Sequence, residues 1–291
     1  MIKYFKTIDN VITEIKKPEH GCWVSVIAPD ENEIKSIIEE FELDAGFVKS
    51  SLDEEESSRI ETEEDQTLII VDYAITETDE HNALLYSTMP MGIILTAHNV
   101  FTISLKENIV LSELSSGIIK NIQTHLKTRF VLHILLRIAS KFLQFLKQID
   151  KISHFTERQL HKSMKNKELI QLMDLEKSLV YFSTSLKANE VTLEKILRGR
   201  VIKLYEEDQE LLEDVLIEVK QAVEMAGIYS SIISGMMEAV GSIINNNMNN
   251  VMKRLTIITI LMAIPTIIFS YFGMNIPLPL SDYSWFPLGI S

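Results

Sequence analysis

The sequence predicts an α/β domain, built as a mixed sheet with helices, followed by long α-helices of which the last continues into a transmembrane helix. Three observations carry that prediction. Up to about residue 110, short apolar runs alternate with polar stretches in the manner of strands. After Ser112 the apolar residues take up helical spacing almost without interruption. Finally, from Leu255 to Phe272, 18 consecutive residues carry no charge, the only long uncharged apolar run in a chain of 291 residues. At 1.5 Å per residue that run makes roughly 27 Å of helix, close to one bilayer core.

The first domain is expected over residues 1–112. Ile2 to Ile8, Val11 to Ile15 and Cys22 to Ala28 read as strands. Asp30 precedes Ile34, Ile37, Ile38 and Phe41 at helical spacing, which makes it the N-cap of a helix reaching about Glu42. Eight acids then fall within the thirteen positions Asp53 to Asp65. They lack the alternating ligands and central glycine of an EF-hand, so a solvated acidic loop is the plain reading. A weak site for a hydrated divalent ion is the alternative, since Mg2+ needs only one or two carboxylates and keeps its waters. Further strands are expected at Leu68 to Ile75, at Leu84 to Thr96 with a break near Pro90, and at Val100 to Leu105, completing a mixed α/β domain.

Residues 113–200 read as a helical hairpin, with one helix from Ile118 to about His161 and a second from Leu169 to about Leu197, separated by the polar Lys165-Asn166-Lys167. Residues 201–250 form a stalk. Its apolar register runs through Leu212, Val215, Val219, Ala222, Ala226, Tyr229, Ile233, Met236, Val240 and Ile243 in steps of three and four. No proline interrupts it before Pro265, so one helix is expected from about Glu206 into the span at 251–275. Residues 276–291, rich in proline and aromatics, read as an external loop, since the prolines forbid regular helix and the aromatics suit a membrane interface.

Composition narrows the function. A formal charge of −13 argues against nucleic acid as partner, because such binding rests on Lys and Arg neutralising phosphates. It suits cations. Cys22 is the single cysteine, so no intrachain disulfide forms and a buried thiol in a reducing compartment is expected. Residues Met1 to Asn10 lack the apolar core of a signal peptide. The seven histidines show no H-x-x-x-H or H-E-x-x-H spacing, with His154 and His161 reading as surface residues, and neither a P-loop nor a Gly-x-Ser-x-Gly elbow is present. Nothing in the sequence supports catalysis. Lys253 and Arg254 stand at the N-terminal edge of the span and only Asp282 follows it, which places the first 250 residues in the cytoplasm.

Within the span, a wheel at 100° per residue puts Asn249, Met252, Thr256, Thr259, Ala263, Thr266 and Ser270 in one sector about 100° wide. Small and hydroxylated residues of this kind pack helices together in lipid, and they also line water-filled paths. Spacing alone leaves both open. The neighbouring asparagines likewise read either as a weak helix segment or, for Asn249, as a ring of amide oxygens presented by several copies.

The run ends in Tyr271-Phe272-Gly273-Met274-Asn275, which resembles the aromatic-Gly-Met-Asn signature closing the first transmembrane helix of the CorA family of magnesium channels. Upstream, Asn249, Met252, Lys253, Leu255 and Thr256 look like that family's pore entry at the expected distance. The resemblance implies a homopentamer in the inner membrane, multi-pass when complete, that carries Mg2+ and also Co2+ inward, with Mg2+ both cargo and regulator and no organic cofactor. It implies a pore lined by Asn249, Met252, Leu255, Thr266 and Asn275, with the Met252 and Leu255 rings as constriction and Gly273, Met274 and Asn275 at the outer mouth. It also implies a regulatory ion between subunits, for which Asp214 holds the stalk position. On the partner side Lys49 and Ser50 stand near the expected acid, and Asp53 is the nearest substitute. A zinc transporter of the same superfamily is the first alternative. A single-span anchored structural or sensing protein is the second.

Overall fold

The computed structural model of the chain describes residues 1–78, 84–117, 119, 121–163, 166–199, 202 and 204–273. By its contacts the chain forms two compact units, Met1–Ser234 and Gly235–Ser291. The first unit thus holds the sheet, the helical hairpin and the beginning of the stalk together, because the hairpin helices cover one face of the sheet.

The chain opens with strands β1 (Ile2–Ile8) and β2 (Val11–Ile15), an antiparallel pair. Asp9 and Asn10 between them have φ of 50° and 62°, the mirror-image turn geometry that suits the twist of a hairpin and that Asp and Asn tolerate best among residues with a side chain. After β3 (Trp23–Ile27) comes α1 (Glu31–Phe41), started by a complete capping box. The Asp30 carboxylate accepts from the Asn32 and Glu33 N–H groups while Glu33 accepts from the Asp30 N–H. Helix α2 (Ala45–Ser50), capped by Asp44, precedes β4 (Arg59–Glu63), β5 (Gln66–Thr78), β6 (Leu84–Leu95) and β7 (Val100–Ser104). The strand order is β2-β1-β3-β7-β6-β5-β4. Only β3 and β7 run parallel, so the sheet is mixed, as the sequence predicts.

Both faces of this sheet are covered, which is why its central strands read as nearly continuous apolar runs. On one face Val24, Val26, Ile70 and Phe101 pack against Ile37, Phe47 and Val48 of α1 and α2. On the other lies Trp23, fully buried, stacked on Phe5 at 4.7 Å and tilted against Phe130 at 5.5 Å, with its indole N–H donating to Thr102 Oγ1 at 2.8 Å. Phe130 belongs to the hairpin. That hairpin follows α3 (Ile109–Ser115) and consists of α4 (Lys127–Ser163) and α5 (Asn166–Gly199); α6 (Glu206–Phe272) completes the described helices.

Three expectations change. The first hairpin helix begins at Lys127 rather than Ile118, because the segment before it is tied to β1. Thr7 Oγ1 donates to the Ile122 carbonyl and accepts from the Thr124 N–H, and Asn121 has a left-handed φ of 65°. Second, the acidic stretch is not all loop: Arg59–Glu63 is the edge strand β4, and Arg59 ion-pairs with both Glu56 and Glu61. A charged edge resists pairing with other chains. Third, β6 runs unbroken through Pro90, which stands opposite Asp72 of β5. The Asp72 N–H donates to Asn189 Oδ1 at 2.9 Å and its carbonyl accepts from Asn189 Nδ2 at 2.8 Å, so neither group bonds across to Pro90. On the opposite side of β6, pairing with β7 begins only at Met91. Proline therefore costs the sheet no ladder bond here.

Candidate functional site

Helix α6 is a single element of 67 residues. In the first unit it follows the predicted register, with Leu212, Val215, Val219, Ala222, Ala226 and Ile233 all buried. It lies against the hairpin: Val219 borders a small void with Phe142 of α4 and Leu186 of α5, and the Ser140 hydroxyl donates to Glu218 at 2.6 Å. Lys220 pairs with Glu194 of α5 at 3.3 Å.

From Met248 onward almost all the large apolar side chains of α6 are exposed among the described residues. Leu261 is 67% exposed, Ile267 68% and Phe269 75%. An exposed apolar surface of this extent calls for lipid or for other copies of the chain. Among the described residues α6 is the one helix long and apolar enough to cross a membrane. Its hydroxyls are satisfied internally: Thr256 donates to the Met252 carbonyl at 2.9 Å, Thr259 to Leu255 at 2.9 Å and Thr266 to Met262 at 2.8 Å. Such back-bonding lets Thr sit in an apolar medium without an unpaired donor. The sequence marked these threonines as a stripe but carried no sign of their partners. Pro265 lies inside α6 without ending it.

Of the residues expected in the pore, Asn249, Met252, Leu255 and Thr266 all lie on α6 with exposed side chains. Gly273 follows the helix and still donates to the Phe269 carbonyl at 2.9 Å, with a φ outside the left-handed region. Met274, Asn275 and residues 276–291 lie outside the described residues. Asp214 is exposed on α6, and the exposed Asp53 accepts from the Glu55 N–H at 3.0 Å. Among the described residues no three His, Cys, Asp or Glu side chains gather as a metal-holding group. One chain alone therefore brings together neither the pore ring nor a regulatory ion site.

The remaining chemistry is structural. Cys22 is buried, and burial pushes its thiol above the ordinary value. His154 is a surface residue 3.5 Å from both Asp150 and Glu157, while the side chain of His161 lies outside the described residues. A cleft of about 1120 Å³ opens between the starts of α4 and α6. Its Lys and Arg are occupied, with Arg129 paired to Glu207 and Lys127 donating to the Thr96 and Ala97 carbonyls at 2.6 Å each.

Comparison with known proteins agrees with this architecture. Residues 18–290 match the family described as CorA-like Mg2+ transporter protein. The chain is 28% identical over 262 residues to the cobalt/magnesium transport protein CorA of Methanocaldococcus jannaschii, covering 89% of this chain and 82% of that one. Its fold superposes on the complete structure of the CorA magnesium transporter from Methanocaldococcus jannaschii with a TM-score of 0.84 at 24% identity, over 100% of this chain and 92% of the other. The cytoplasmic domain of ZntB from Vibrio parahaemolyticus shares the fold at a TM-score of 0.64 and 9% identity, over 84% of this chain and 98% of that domain. With a family match over nearly its whole length and a candidate span where that family needs one, the chain belongs to the CorA-like Mg2+ transporter family and is a divalent-cation transporter of the membrane, not an enzyme.

Proposed function

We propose that copies of this chain assemble as a homopentamer in the inner membrane, multi-pass when complete, and conduct Mg2+, with Co2+ as a second cargo, into the cytoplasm. The observation that carries the proposal is the exposed apolar surface of α6 past Gly235, which bears one stripe of small, amide and hydroxylated side chains. Turned inward in a ring of copies, Asn249 offers amide oxygens, Met252 and Leu255 a hydrophobic constriction, and Thr266 a hydroxyl higher in the path. Asn275, with Gly273 and Met274, forms the outer mouth. Mg2+ sheds its first-shell waters reluctantly, so neutral oxygens that hold the hydrated ion without trapping it suit that mouth. The likeness to the ZntB domain is one of fold, so zinc as cargo is tested directly by competition between Mg2+ and Zn2+ in flux measurements.

The deciding experiment is Mg2+ uptake by proteoliposomes carrying Asn275→Gly. The variant is expected to fold and assemble yet lose uptake; normal uptake by an assembled variant would remove Asn275 from the filter. Regulation is placed at Asp214, with Asp53 of a neighbouring copy as the tentative second acid. An ion bound there would cancel repulsion between facing carboxylates and favour the closed state. Asp214→Ala should then weaken inhibition by internal Mg2+, and an unchanged inhibition curve places the sensor elsewhere.

A further inference from the structure

We infer that the tip of the α4–α5 hairpin is a docking surface for anionic lipid headgroups. The inference rests on the family reading only in that the chain lives in a bilayer. The segment 147–167 carries six lysines and arginines against two carboxylates, in a chain whose formal charge is −13. The structure sorts those charges by side. From Gln144 to Val180, no described residue of α4 or α5 that is exposed is an Asp or Glu. The acids of this stretch, including Asp150, Glu157, Asp174 and Glu176, are half-buried on the flanks, where Asp150 and Glu157 face His154 and Glu176 accepts from the Ser234 hydroxyl.

The outward positions are cationic and apolar. Lys147, Lys151 and Arg158 recur on α4 in steps of four and seven, and Phe155 stands in the same stripe with 57% of its surface exposed. On α5, Lys167 and Lys177 flank Ile170 and Met173, 54% and 59% exposed. Such a mixture fits one partner class well. Headgroup phosphates attract the cations at a distance, and an aromatic ring with aliphatic neighbours beds into the boundary of headgroup and acyl chain.

The chain leaves the first unit close to this patch. Ser234, the last residue of the first unit, touches Glu176 near the start of α5. The polypeptide thus leaves the first unit at its hairpin-tip end, and 19 residues later reaches Lys253 at the edge of the span. The cationic patch accordingly lies at the end of the first unit from which the chain departs toward its apolar span.

The test uses the full chain reconstituted in vesicles. His154→Cys supplies a label site beside Phe155, and the buried Cys22 leaves no competing reactive thiol. An environment-sensitive fluorophore there should be quenched by brominated lipid in vesicles containing phosphatidylglycerol, by about threefold more than in phosphatidylcholine alone, and the difference should vanish at high salt. Adding Lys147→Glu, Lys151→Glu and Arg158→Glu should abolish it while leaving the thermal midpoint unchanged. Equal quenching in the two lipids overturns the inference. So does a signal that follows protein density rather than lipid charge, which would make the occupant a second copy, and such a result would leave the conduction reading untouched.

Discussion

Along α6, Leu212, Val219 and Ala226 are buried, Val219 beside Phe142 of α4 and Leu186 of α5, whereas Leu255, Leu261 and Phe269 stand more than half exposed on the same continuous helix. The two parts use similar residue types at similar spacing. What differs is the source of their cover. Before Ser234 the buried side chains are covered by this chain, and Glu218 and Lys220 find partners on α4 and α5. Past Gly235 the cover must come from lipid and other copies, and the chain's own bonds serve only to hide backbone and threonine donors inside the helix. The first part can be judged from one protomer, while the second acquires meaning only by assembly.

The strongest way to break that comparison is to make one substitution, Gly to Ala, in each of the two units. At Gly92 an added Cβ would overlap Ser51 Oγ and Cβ and lie 3.2 Å from its Cα, and Ser51 is fully buried. Gly92→Ala should cost about 3 kcal/mol or more, read as a fall in thermal midpoint of the purified chain. At Gly241 nothing lies within 4 Å, so Gly241→Ala should gain up to about 1 kcal/mol of helix propensity. If Gly241→Ala instead destroys the oligomer, that face is tightly covered by neighbouring copies.

A somewhat smaller effect is expected at Asn189, whose amide satisfies both backbone groups of Asp72 and whose oxygen also accepts from the Ser58 hydroxyl at 2.9 Å. Asn189→Leu leaves all three without a partner and should destabilise the first unit by about 2–3 kcal/mol. A denaturation midpoint equal to wild type would show the strap to be dispensable.

The smallest effect sharpens the account of that same corner. Burial raises the Asp72 carboxyl above its ordinary 3.8, against a lowering contribution from the Ser185 hydroxyl. Because the fold holds this proton more tightly than the unfolded chain, its contribution is full below pH 3.8 and is lost as pH rises through the folded value. Asp72→Asn should therefore stabilise the chain modestly at neutral pH, with the gain disappearing in acid. Thermal midpoints at the two pH values measure it.

Much of this was legible from residue order. Asp30 announced the start of α1, and the alternation of short apolar runs located β1, β2, β3 and β7 to within a residue or two. Helices α2 and α3 were not foreseen, since six and seven residues hold too few turns to show a period, and both are started by local caps, Asp44 and Asn108, inside a packed surround. Pro90 misled because a proline's cost depends on where ladder bonds fall, which only pairing with Asp72 and Met91 decides. Of the pore candidates, the stripe from Asn249 to Thr266 could be read because one helix carries it. The partner proposed for Asp214 could not, because in that proposal the second ligand would come from another copy and no spacing within one chain encodes it.

Asn189 also has a consequence in time. It covers Asp72, where β5 runs on past the end of β4, yet it lies 117 residues downstream of it. At a synthesis rate of roughly 5–20 residues per second, Asp72 emerges about 6–23 s before the amide that will cover it. During that interval the outer half of β5, with Val71, Tyr73 and Ile75 among its residues, is an open strand edge, and the charged β4 beside it is the guard already made. A nascent chain stalled between β7 and α5 should therefore be the form most prone to aggregate and most dependent on a chaperone.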